Sequence, residues 1–526
     1  MSSNAALQAA DSTRVVETPY GRLRGARAAG VERFLGIPYA QAPVGALRLR
    51  SPRRPAPSAG ERDASAPGAA SLQTLGGNQT WLYEPIARTD EDCLFLNVWT
   101  PDPLGGLPVV VWLHGGATRN GHGAAGAFDG AALARTGRVV VVTVNYRLGA
   151  LGGLAHPDLR DDDTGHCANW GLQDKLAALA WVRECIAAFG GDPARITLAG
   201  QSSGAASAVM IAQGTAAHGL VARLIAQSPP LFQPPVFAEL ADASAYTGQF
   251  ARSLGVSVAG LRTIDGRELA RAEQSFIRAG TFPRPRTAPV RDGALVREWP
   301  YAGAIAPVPM LIGSTRDEGL FWYGLRDADG NVLSPFAPPR TRDELLDQVA
   351  ALLRLHHPFD GAPAPADVAD AYRSARDRDD PAAVWSAIYT DLAFRAPILH
   401  CAARHARRGN PSFVYEFAHT LPAPGAGTPH AADVPFVFGT TAHPHLARKV
   451  GHGPGAIATA GAMMRMWASF AWTGDPSADG VARWPRFSGE RCEVMTIGAS
   501  PGVAAPVGVP RDAAPGCWPA FRVGGT

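Results

Sequence analysis

The stretch Arg195-Ile-Thr-Leu-Ala-Gly-Gln-Ser-Ser-Gly204 carries the clearest fold signal in this 526-residue chain. The apolar run Arg195–Ala199 leads directly into Gly200-Gln-Ser-Ser-Gly204, and small residues of helical character follow from Ser203. This order is typical of a sharp strand-to-helix turn that exposes a serine hydroxyl. Flanking glycines allow close backbone approach, and a helix N-terminus favours developing negative charge. Ser202 is therefore a candidate nucleophile; the alternative is a Gly/Ser-rich connection without chemistry.

Apolar runs on both sides of this turn predict further strands and a helix. Pro108–Leu113 and Arg138–Val144 are typical of buried strands, as are the later runs 308–312 and 411–417. Between the second and the serine-bearing strand, residues 171–189 carry apolar side chains at helical spacing and end at a Gly-Gly-Asp-Pro sequence. Alternation of strands and helices is the βαβ pattern of a parallel sheet. The sequence therefore predicts an α/β protein.

Composition favours a globular enzyme without nucleic-acid or membrane partners. Hydrophobic residues make up 46 % of the chain, and charged residues only 18 % against a typical value of about 25 %. The net charge of +3 gives no electrostatic reason to bind nucleic acid or an anionic membrane. No stretch approaches the roughly 18 apolar residues of a membrane helix. Lysine occurs only at Lys175 and Lys449 among 49 basic residues, which we interpret as coding bias.

The cysteines and the first residues indicate a reducing compartment. Six cysteines are scattered without a CxxC pair or a Cys/His cluster at zinc spacing, so we expect no metal site. Residues 1–13 contain neither the basic nor the apolar segment of a secretion signal. We therefore expect reduced, mostly buried thiols and a cytoplasmic location.

Leu113-His-Gly-Gly-Ala117 follows a predicted strand and is a candidate oxyanion-binding loop. A serine nucleophile needs a base, an orienting acid and donors for the developing oxyanion. Small residues after a strand can turn their backbone N–H groups toward the serine. For so short a motif, a plain turn is the open alternative.

Short motifs follow one another in order along nearly the whole chain. They are Gly21–Gly25, Phe34–Ala40, Pro43–Arg48, Glu91–Asn97, Asn145–Ala150, Phe189–Pro193, Trp467–Phe470, Thr473–Pro476 and Trp484–Pro485. This series resembles the type-B carboxylesterases, the cholinesterase and para-nitrobenzyl-esterase family of α/β-hydrolases. The resemblance implies an α/β-hydrolase fold: a large, mostly parallel, twisted central sheet flanked by helices, with helical and loop insertions forming a cap and a gorge. It also implies one domain over residues 14–522. The mixed helical, Arg/Asp-rich stretch 340–410 is expected to be a helical insertion, and residues 1–13 a disordered N-terminus.

The resemblance implies a catalytic triad that runs Ser, Glu, His along the chain. The acid lies in a G-x-x-x-D-E-G segment, here 313–319, which identifies Glu318 rather than its neighbour Asp317. The base lies in an H-x-x-D segment, here 430–438, which identifies His430. On spacing alone the other candidates for the base are His419, His443, His445 and His452.

Further site residues follow from the same resemblance. The oxyanion donors are the backbone N–H groups of Gly116, Ala117 and Ser203. Ser228 matches a serine that supports the triad, although a core serine bonded to backbone is equally open. Trp81 is expected on a flexible gorge wall.

Three departures from the family pattern affect the substrate pocket. The residue before the nucleophile is usually Glu and here is Gln201, which removes a buried negative charge and puts a preference for cationic leaving groups in doubt. Cys93 lacks the cysteine that pairs with it in the family, since 67–73 contains none. Arg119 stands where relatives often carry aromatic residues; it is a candidate clamp for a substrate carboxylate, or a solvated or paired arginine. Phe321 and Trp322 are candidates for the pocket wall, or for simple packing.

Together these features predict a serine hydrolase that cleaves carboxylic esters of small organic molecules through an acyl-enzyme, without a cofactor. Transacylation, amide cleavage or dehydratase-like chemistry on the same triad stays open, because one fold supports several chemistries. A non-catalytic binding protein of the same family is the other alternative; the retained Ser202, Glu318 and His430 argue against it. Oligomeric state is not readable from the sequence.

Overall fold

The structure is a computed structural model. It describes residues 14–73, 81–214, 219–231, 237–280, 289–325, 334, 336–356, 363–376, 379–423, 425–488, 494–498 and 502–504. The predicted disordered segment 1–13 lies outside these residues, as does the end of the predicted domain at 522.

An eleven-stranded sheet forms the centre of this described part of the chain. In chain order the strands are β1 (Ala26–Ala28), β2 (Val31–Pro38), β3 (Phe95–Thr100), β4 (Leu107–Leu113), β5 (Val140–Val144), β6 (Gly191–Gln201), β7 (Arg223–Gln227), β8 (Met310–Thr315), β9 (Ser412–Phe417), β10 (Val494–Ile497) and β11 (Gly502–Ala504). Their order across the sheet is β11-β10-β9-β8-β7-β6-β4-β5-β3-β2-β1. The seven strands from β10 to β5 in this order run parallel, and the flanking pairs are antiparallel. Shorter strands pair outside this sheet: Gly21–Arg24 lies between Val15–Thr18 and Glu61–Asp63 and pairs with both, Ala70–Ser71 pairs with Thr89–Asp90, and Ala238–Glu239 pairs with Val290–Arg291.

Helices cover both faces of the sheet. They are α1 (Ala131–Gly137), α2 (Gly149–Gly153), α3 (Trp170–Cys185), α4 (Ser203–Gln213), α5 (Leu240–Ser253), α6 (Gly266–Arg278), α7 (Leu320–Tyr323), α8 (Arg342–His356), α9 (Pro365–Arg376), α10 (Pro381–Thr390), α11 (Ala396–Arg407), α12 (Val434–Phe438), α13 (Ala447–Val450) and α14 (Pro454–Thr473). A π-helical turn, Asp391–Arg395, joins α10 to α11. The helices α8 to α11 occupy the stretch predicted as a helical insertion. The α/β prediction of a mostly parallel sheet flanked by helices is confirmed.

Strand β4 shows why the central strands are continuously apolar. All seven of its residues are buried. Val109 and Val111 face one core together with side chains of α3 and α4, while Val110 and Trp112 face a second core together with side chains of α14. A strand covered on both faces needs apolar residues at every position, not at every second one.

The carboxyl ends of the parallel strands bring the candidate site together. Strand β4 ends before the His-Gly-Gly loop, β6 ends next to Ser202, and β8 ends three residues before Glu318. Side chains after the carboxyl ends of parallel strands meet at one edge of the sheet, which is where α/β folds bind ligands.

Candidate active site

Ser202 occupies a strained turn between β6 and α4. Its φ of 54° and ψ of −128° lie outside the regions that L-residues favour. Its backbone N–H donates to the Gln227 carbonyl at 2.9 Å, which ties the turn to the neighbouring strand. A Cβ on Gly204 would overlap the backbone oxygens of Leu113 and His114, so a glycine is required there. The turn therefore presents a partly exposed serine at the start of a buried helix.

Glu318 and His430 form a buried pair beside this turn. The Nδ1 atom of His430 lies 2.5 Å from Oε2 of Glu318. The other carboxylate oxygen accepts from the Thr315 N–H at 2.7 Å and from the Ser228 hydroxyl at 2.6 Å. Because the carboxylate only accepts, the proton lies on Nδ1, and Nε2 of His430 is left as an acceptor.

The other candidates for the acid and the base have different hydrogen-bond partners. Asp317 accepts from the Thr428 N–H at 3.0 Å and does not bond His430. The rival histidines bond elsewhere: His419 to Thr459, His443 to the His445 N–H, His445 to Lys449, and His452 to Thr441. Of the predicted acids and bases, the structure brings only Glu318 and His430 together within its described residues.

Gln201 contacts the candidate base directly. Its side-chain amide nitrogen lies 2.9 Å from Nε2 of His430, and both side chains are buried. With the proton on Nδ1, the Gln201 amide donates to the single lone pair of Nε2. None of the described hydrogen bonds joins Ser202 Oγ to His430. In this geometry the amide of Gln201 occupies the acceptor that the serine hydroxyl would use.

The loop after β4 presents backbone N–H groups beside Ser202. Gly116 and Ala117 have φ values of 112° and 54°, and the Gly116 carbonyl accepts from the N–H groups of Arg119 and Asn120. The Thr118 N–H donates to Ser203 Oγ at 3.2 Å, which holds the loop against the turn. Within the described chain, the N–H groups of Gly116, Ala117 and Ser203 have no acceptor. They are available to an oxyanion.

His114 and two tyrosines support this loop from below. The Gly115 carbonyl accepts from His114 Nδ1 at 2.7 Å and from the Tyr83 hydroxyl at 3.3 Å. The His114 ring stacks on Tyr146 with centroids 4.3 Å apart, and the Tyr146 hydroxyl donates to the His114 carbonyl at 2.5 Å. Burial lowers the pKa of His114 to about 3, so this imidazole is neutral. Donors on the Gly115 carbonyl polarise the peptide whose N–H belongs to Gly116.

Three of the predicted pocket residues pack around the candidate base. The rings of Phe321 and Trp322 lie 5.7 and 4.8 Å from the His430 imidazole, measured between centroids, and Phe394 lies at 5.1 Å. Trp81 is 3 % exposed, and its indole N–H donates to the His430 carbonyl at 3.3 Å. These side chains form an apolar wall around the imidazole.

Arg119 is half-buried and lines a small cavity with Gln73 and Glu273. Glu273 is buried and accepts from the Ala150 N–H at 2.7 Å. A substrate carboxylate bound by Arg119 would lie in the same cavity as the Glu273 carboxylate, so both would interact with the positive charge of this guanidinium.

Asp433 is a buried carboxylate to which the sequence motifs assigned no role. It accepts from the Tyr415 hydroxyl and the Gln227 amide, each at 2.8 Å. Burial raises its pKa to about 6. The available signal was the H-x-x-D motif, in which the acid stands three residues after His430.

Among the described residues, no group of three or more His, Cys, Asp or Glu side chains has the arrangement of a metal site. No helix there is long and apolar enough to cross a membrane.

Comparison with known proteins gives consistent matches over almost the whole chain. The profile of the carboxylesterase family matches residues 12–508. The fumonisin B1 esterase of Sphingopyxis macrogoltabida is 35 % identical, over 96 % of this chain and 90 % of that protein. The para-nitrobenzyl esterase of Bacillus subtilis is 33 % identical, over 92 % and 94 %.

Comparison with solved structures also matches this chain to esterases. One para-nitrobenzyl esterase structure superposes with a TM-score of 0.80 at 30 % identity, covering 96 % of this chain and 99 % of that one. A carboxylesterase of Geobacillus stearothermophilus superposes with a TM-score of 0.77 at 32 % identity, covering 95 % and 99 %.

Proposed function

The chain belongs to the carboxylesterase family, and from that premise we propose that Ser202, His430 and Glu318 are the triad with which it hydrolyses carboxylic esters. The protein is a carboxylic-ester hydrolase of the serine type; the proposal concerns the residues. The observation that carries the proposal is the buried 2.5 Å contact between Nδ1 of His430 and Oε2 of Glu318. Nε2 of the same imidazole contacts Gln201, which is the residue before Ser202.

The proposed reaction begins when the Gln201 amide leaves Nε2 of His430 and the Ser202 hydroxyl takes its place. His430 accepts the serine proton while Oγ attacks the ester carbonyl. The oxyanion of the tetrahedral intermediate is bound by the N–H groups of Gly116, Ala117 and Ser203, each worth about 2.7–4 kcal/mol of barrier. His430 then returns the proton to the leaving alcohol, and water removes the acyl group by the same route.

Glu318 supports this cycle by holding one tautomer of the base. Its carboxylate accepts from Nδ1–H and so keeps Nε2 free to take the serine proton. When the imidazole becomes positive, the buried carboxylate offsets the charge. The hydrogen bonds from Thr315 and Ser228 to its other oxygen keep the carboxylate oriented.

Ser202→Ala tests the proposal. We expect turnover of p-nitrophenyl and p-nitrobenzyl esters to fall by at least about 10³-fold, and labelling by an organophosphonate to disappear. Ser207→Ala is the matched control, since Ser207 lies on the same helix and its hydroxyl bonds the Ser203 carbonyl. The proposal fails if Ser202→Ala keeps its labelling, or if the two variants lose activity equally.

We propose small organic esters as substrates, supported by the names of the two bacterial relatives. p-Nitrobenzyl esters and fumonisin B1 are the first compounds to assay. Arg119→Ala is expected to raise KM for carboxylate-bearing esters by about 10-fold and leave neutral esters unchanged. An equal effect on both classes removes the carboxylate clamp from the proposal.

We also propose a cytoplasmic location. Its support is that the described cysteines Cys93, Cys167, Cys185 and Cys401 are all free thiols. Cell fractionation against marker enzymes tests it, and recovery of the protein in a periplasmic or secreted fraction would contradict it.

A further inference from the structure

Lys175, one of the two lysines in the chain, is buried without a counter-ion. It lies in α3 and is 3 % exposed. Its ammonium group lies 3.6 Å from the centroid of the Tyr146 ring. His114 stacks on Tyr146 at 4.3 Å, so the two neighbours must occupy opposite faces of that ring. Lys175 makes no hydrogen bond or ion pair with any residue that the structure describes.

The charged neighbours of Lys175 are already matched with one another. Asp174 receives two hydrogen bonds from the Arg147 guanidinium, at 2.7 and 2.9 Å, and both side chains are buried. His114, beyond the Tyr146 ring, is neutral because burial lowers its pKa. Among the described residues that line the cleft, Lys175 is therefore the charged side chain without an ion-pair partner.

A buried cation in this position carries an electrostatic penalty. Burial lowers the pKa of Lys175 from 10.5 to about 7, with Asp174 opposing the shift. Near neutral pH the amine is therefore partly protonated. An unpaired buried charge is strongly unfavourable, and a bound ion of opposite sign relieves the penalty.

A cleft of about 20 Å³ adjoins this amine. Lys175 and Arg147 line it together with Thr118 and with the first turn of α3, Asn169 to Leu172. The N–H groups of Trp170 and Gly171 have no acceptor among the described residues. The cleft holds one water-sized or slightly larger particle, and both the helix N-terminus and the ammonium favour a negative one.

We propose that this cleft binds one small monovalent anion, a halide, between the Lys175 ammonium and the N-terminus of α3. The small volume of the cleft favours a monatomic ion over carboxylates and larger oxyanions. The site is separate from the proposed triad, and its existence does not depend on the roles of Ser202, His430 or Glu318. It is connected to the oxyanion loop, since Thr118 lines the cleft and Tyr146 bonds the His114 carbonyl.

The test compares halides with an anion too large for the cleft. The thermal midpoint is measured at pH 7.0 in increasing sodium chloride or bromide, with sodium gluconate at the same ionic strength. We expect a saturable rise of about 1–3 °C specific to the halides. The rise should grow at pH 6 and vanish at pH 9, because the neutral amine has no charge to offer an anion.

Two variants complete the experiment. Lys175→Met is expected to fold, since it removes a buried charge and keeps an apolar stem, and to lose the halide-specific rise. Lys449→Met is the control; Lys449 bonds the Trp81 carbonyl and is expected to keep the halide response. A bromide-soaked crystal should show an anomalous peak at the cleft. Equal effects of halide and gluconate on the wild type, or a halide rise retained in Lys175→Met, would overturn the proposal.

Discussion

At the scale of single residues, Gln201 occupies the nitrogen that the proposed base would use. Its amide nitrogen lies 2.9 Å from Nε2 of His430, so its N–H competes with the Ser202 hydroxyl for the lone pair of that atom. A net hydrogen bond of this kind is worth about 0.5–1.5 kcal/mol, which is small enough to exchange during turnover. A glutamate at this position can only accept, and its charge would favour the protonated imidazole instead.

Gln201→Glu tests this reasoning. We expect the acid limb of the pH profile of kcat/KM to move to higher pH by about one unit, with kcat at neutral pH reduced. Gln201→Met is the control without charge; it removes the amide donor only and should move the acid limb by less than Gln201→Glu does. Superimposable profiles for the wild type and Gln201→Glu would show that the amide does not contact the base during turnover.

The individual site residues differ in how far the sequence could predict them. Ser202 was found from local pattern, because a strand, a Gly-x-Ser-x-Gly turn and a helix are contiguous. Glu318 and His430 needed the family resemblance, since they are 112 positions apart and nothing local marks their contact. The positions of Gln201 and Trp81 against His430 were not predicted, because both were considered as pocket walls and side-chain direction is fixed only by tertiary packing.

At the scale of elements, the segment around Ser71 shows what lies beside Cys93 in place of the family disulfide. Ser71 ends a short buried strand, and its hydroxyl accepts from the Leu148 N–H at 3.2 Å. Burial raises the pKa of Cys93, with Ser71 exerting a smaller opposite effect, so the sulfur is an unreactive thiol. Ser71 therefore lies beside Cys93, whose family disulfide partner is missing from the sequence.

Ser71→Cys is expected to form a disulfide with Cys93 under oxidising conditions. The bond would close a loop of about 20 residues and stabilise the fold by about 3 kcal/mol. The measurement is the thermal midpoint with and without reductant, together with thiol counting. Ser71→Cys combined with Cys93→Ala is the control and should not respond to reductant. Two titratable thiols in the oxidised single variant would contradict the expectation.

The strands were easier to predict than the contacts between them. Runs such as 108–113 were found because a strand buried on both faces is apolar at every position. Boundaries shifted where the signal was weaker: β6 begins at Gly191, four residues before the predicted start, because its first residues are only partly buried. The antiparallel strands β1 to β3 were not predicted as strands, since only their family motifs were noticed.

At the scale of the whole molecule, buried charges join the helices of 340–410 to the sheet. Arg395, in the π-helical turn, is 3 % exposed and pairs with Asp391 and with Glu416 of β9. The same guanidinium donates to the Arg316 carbonyl at 3.0 Å, two residues before Glu318. This network supports the one-domain prediction, because one guanidinium links the helical stretch to β9 and to the loop before Glu318.

Arg395→Met tests whether the chain unfolds as one unit. The substitution removes the buried guanidinium that pairs with Asp391 and Glu416; the Tyr372 hydroxyl still bonds Asp391 and Arg316 still pairs with Glu416. Because a buried charge is lost from between two carboxylates, we expect a loss of about 3 kcal/mol in the free energy of unfolding. Arg342→Met is the matched control: Arg342 pairs with Asp370 on the surface, and its loss should be below about 1 kcal/mol.

The measurement is urea unfolding followed by both tryptophan fluorescence and circular dichroism. In Arg395→Met the unfolding transition should stay single and move as a whole to lower urea concentration. If 340–410 is instead a separate domain, Arg395→Met will split the curve, with an early step for the helices and an unchanged step for the sheet. Arg395 also bonds the backbone two residues before Glu318. If the chain unfolds as one unit, ester turnover should therefore be lost over the same range of urea concentration as the fluorescence and circular dichroism signals.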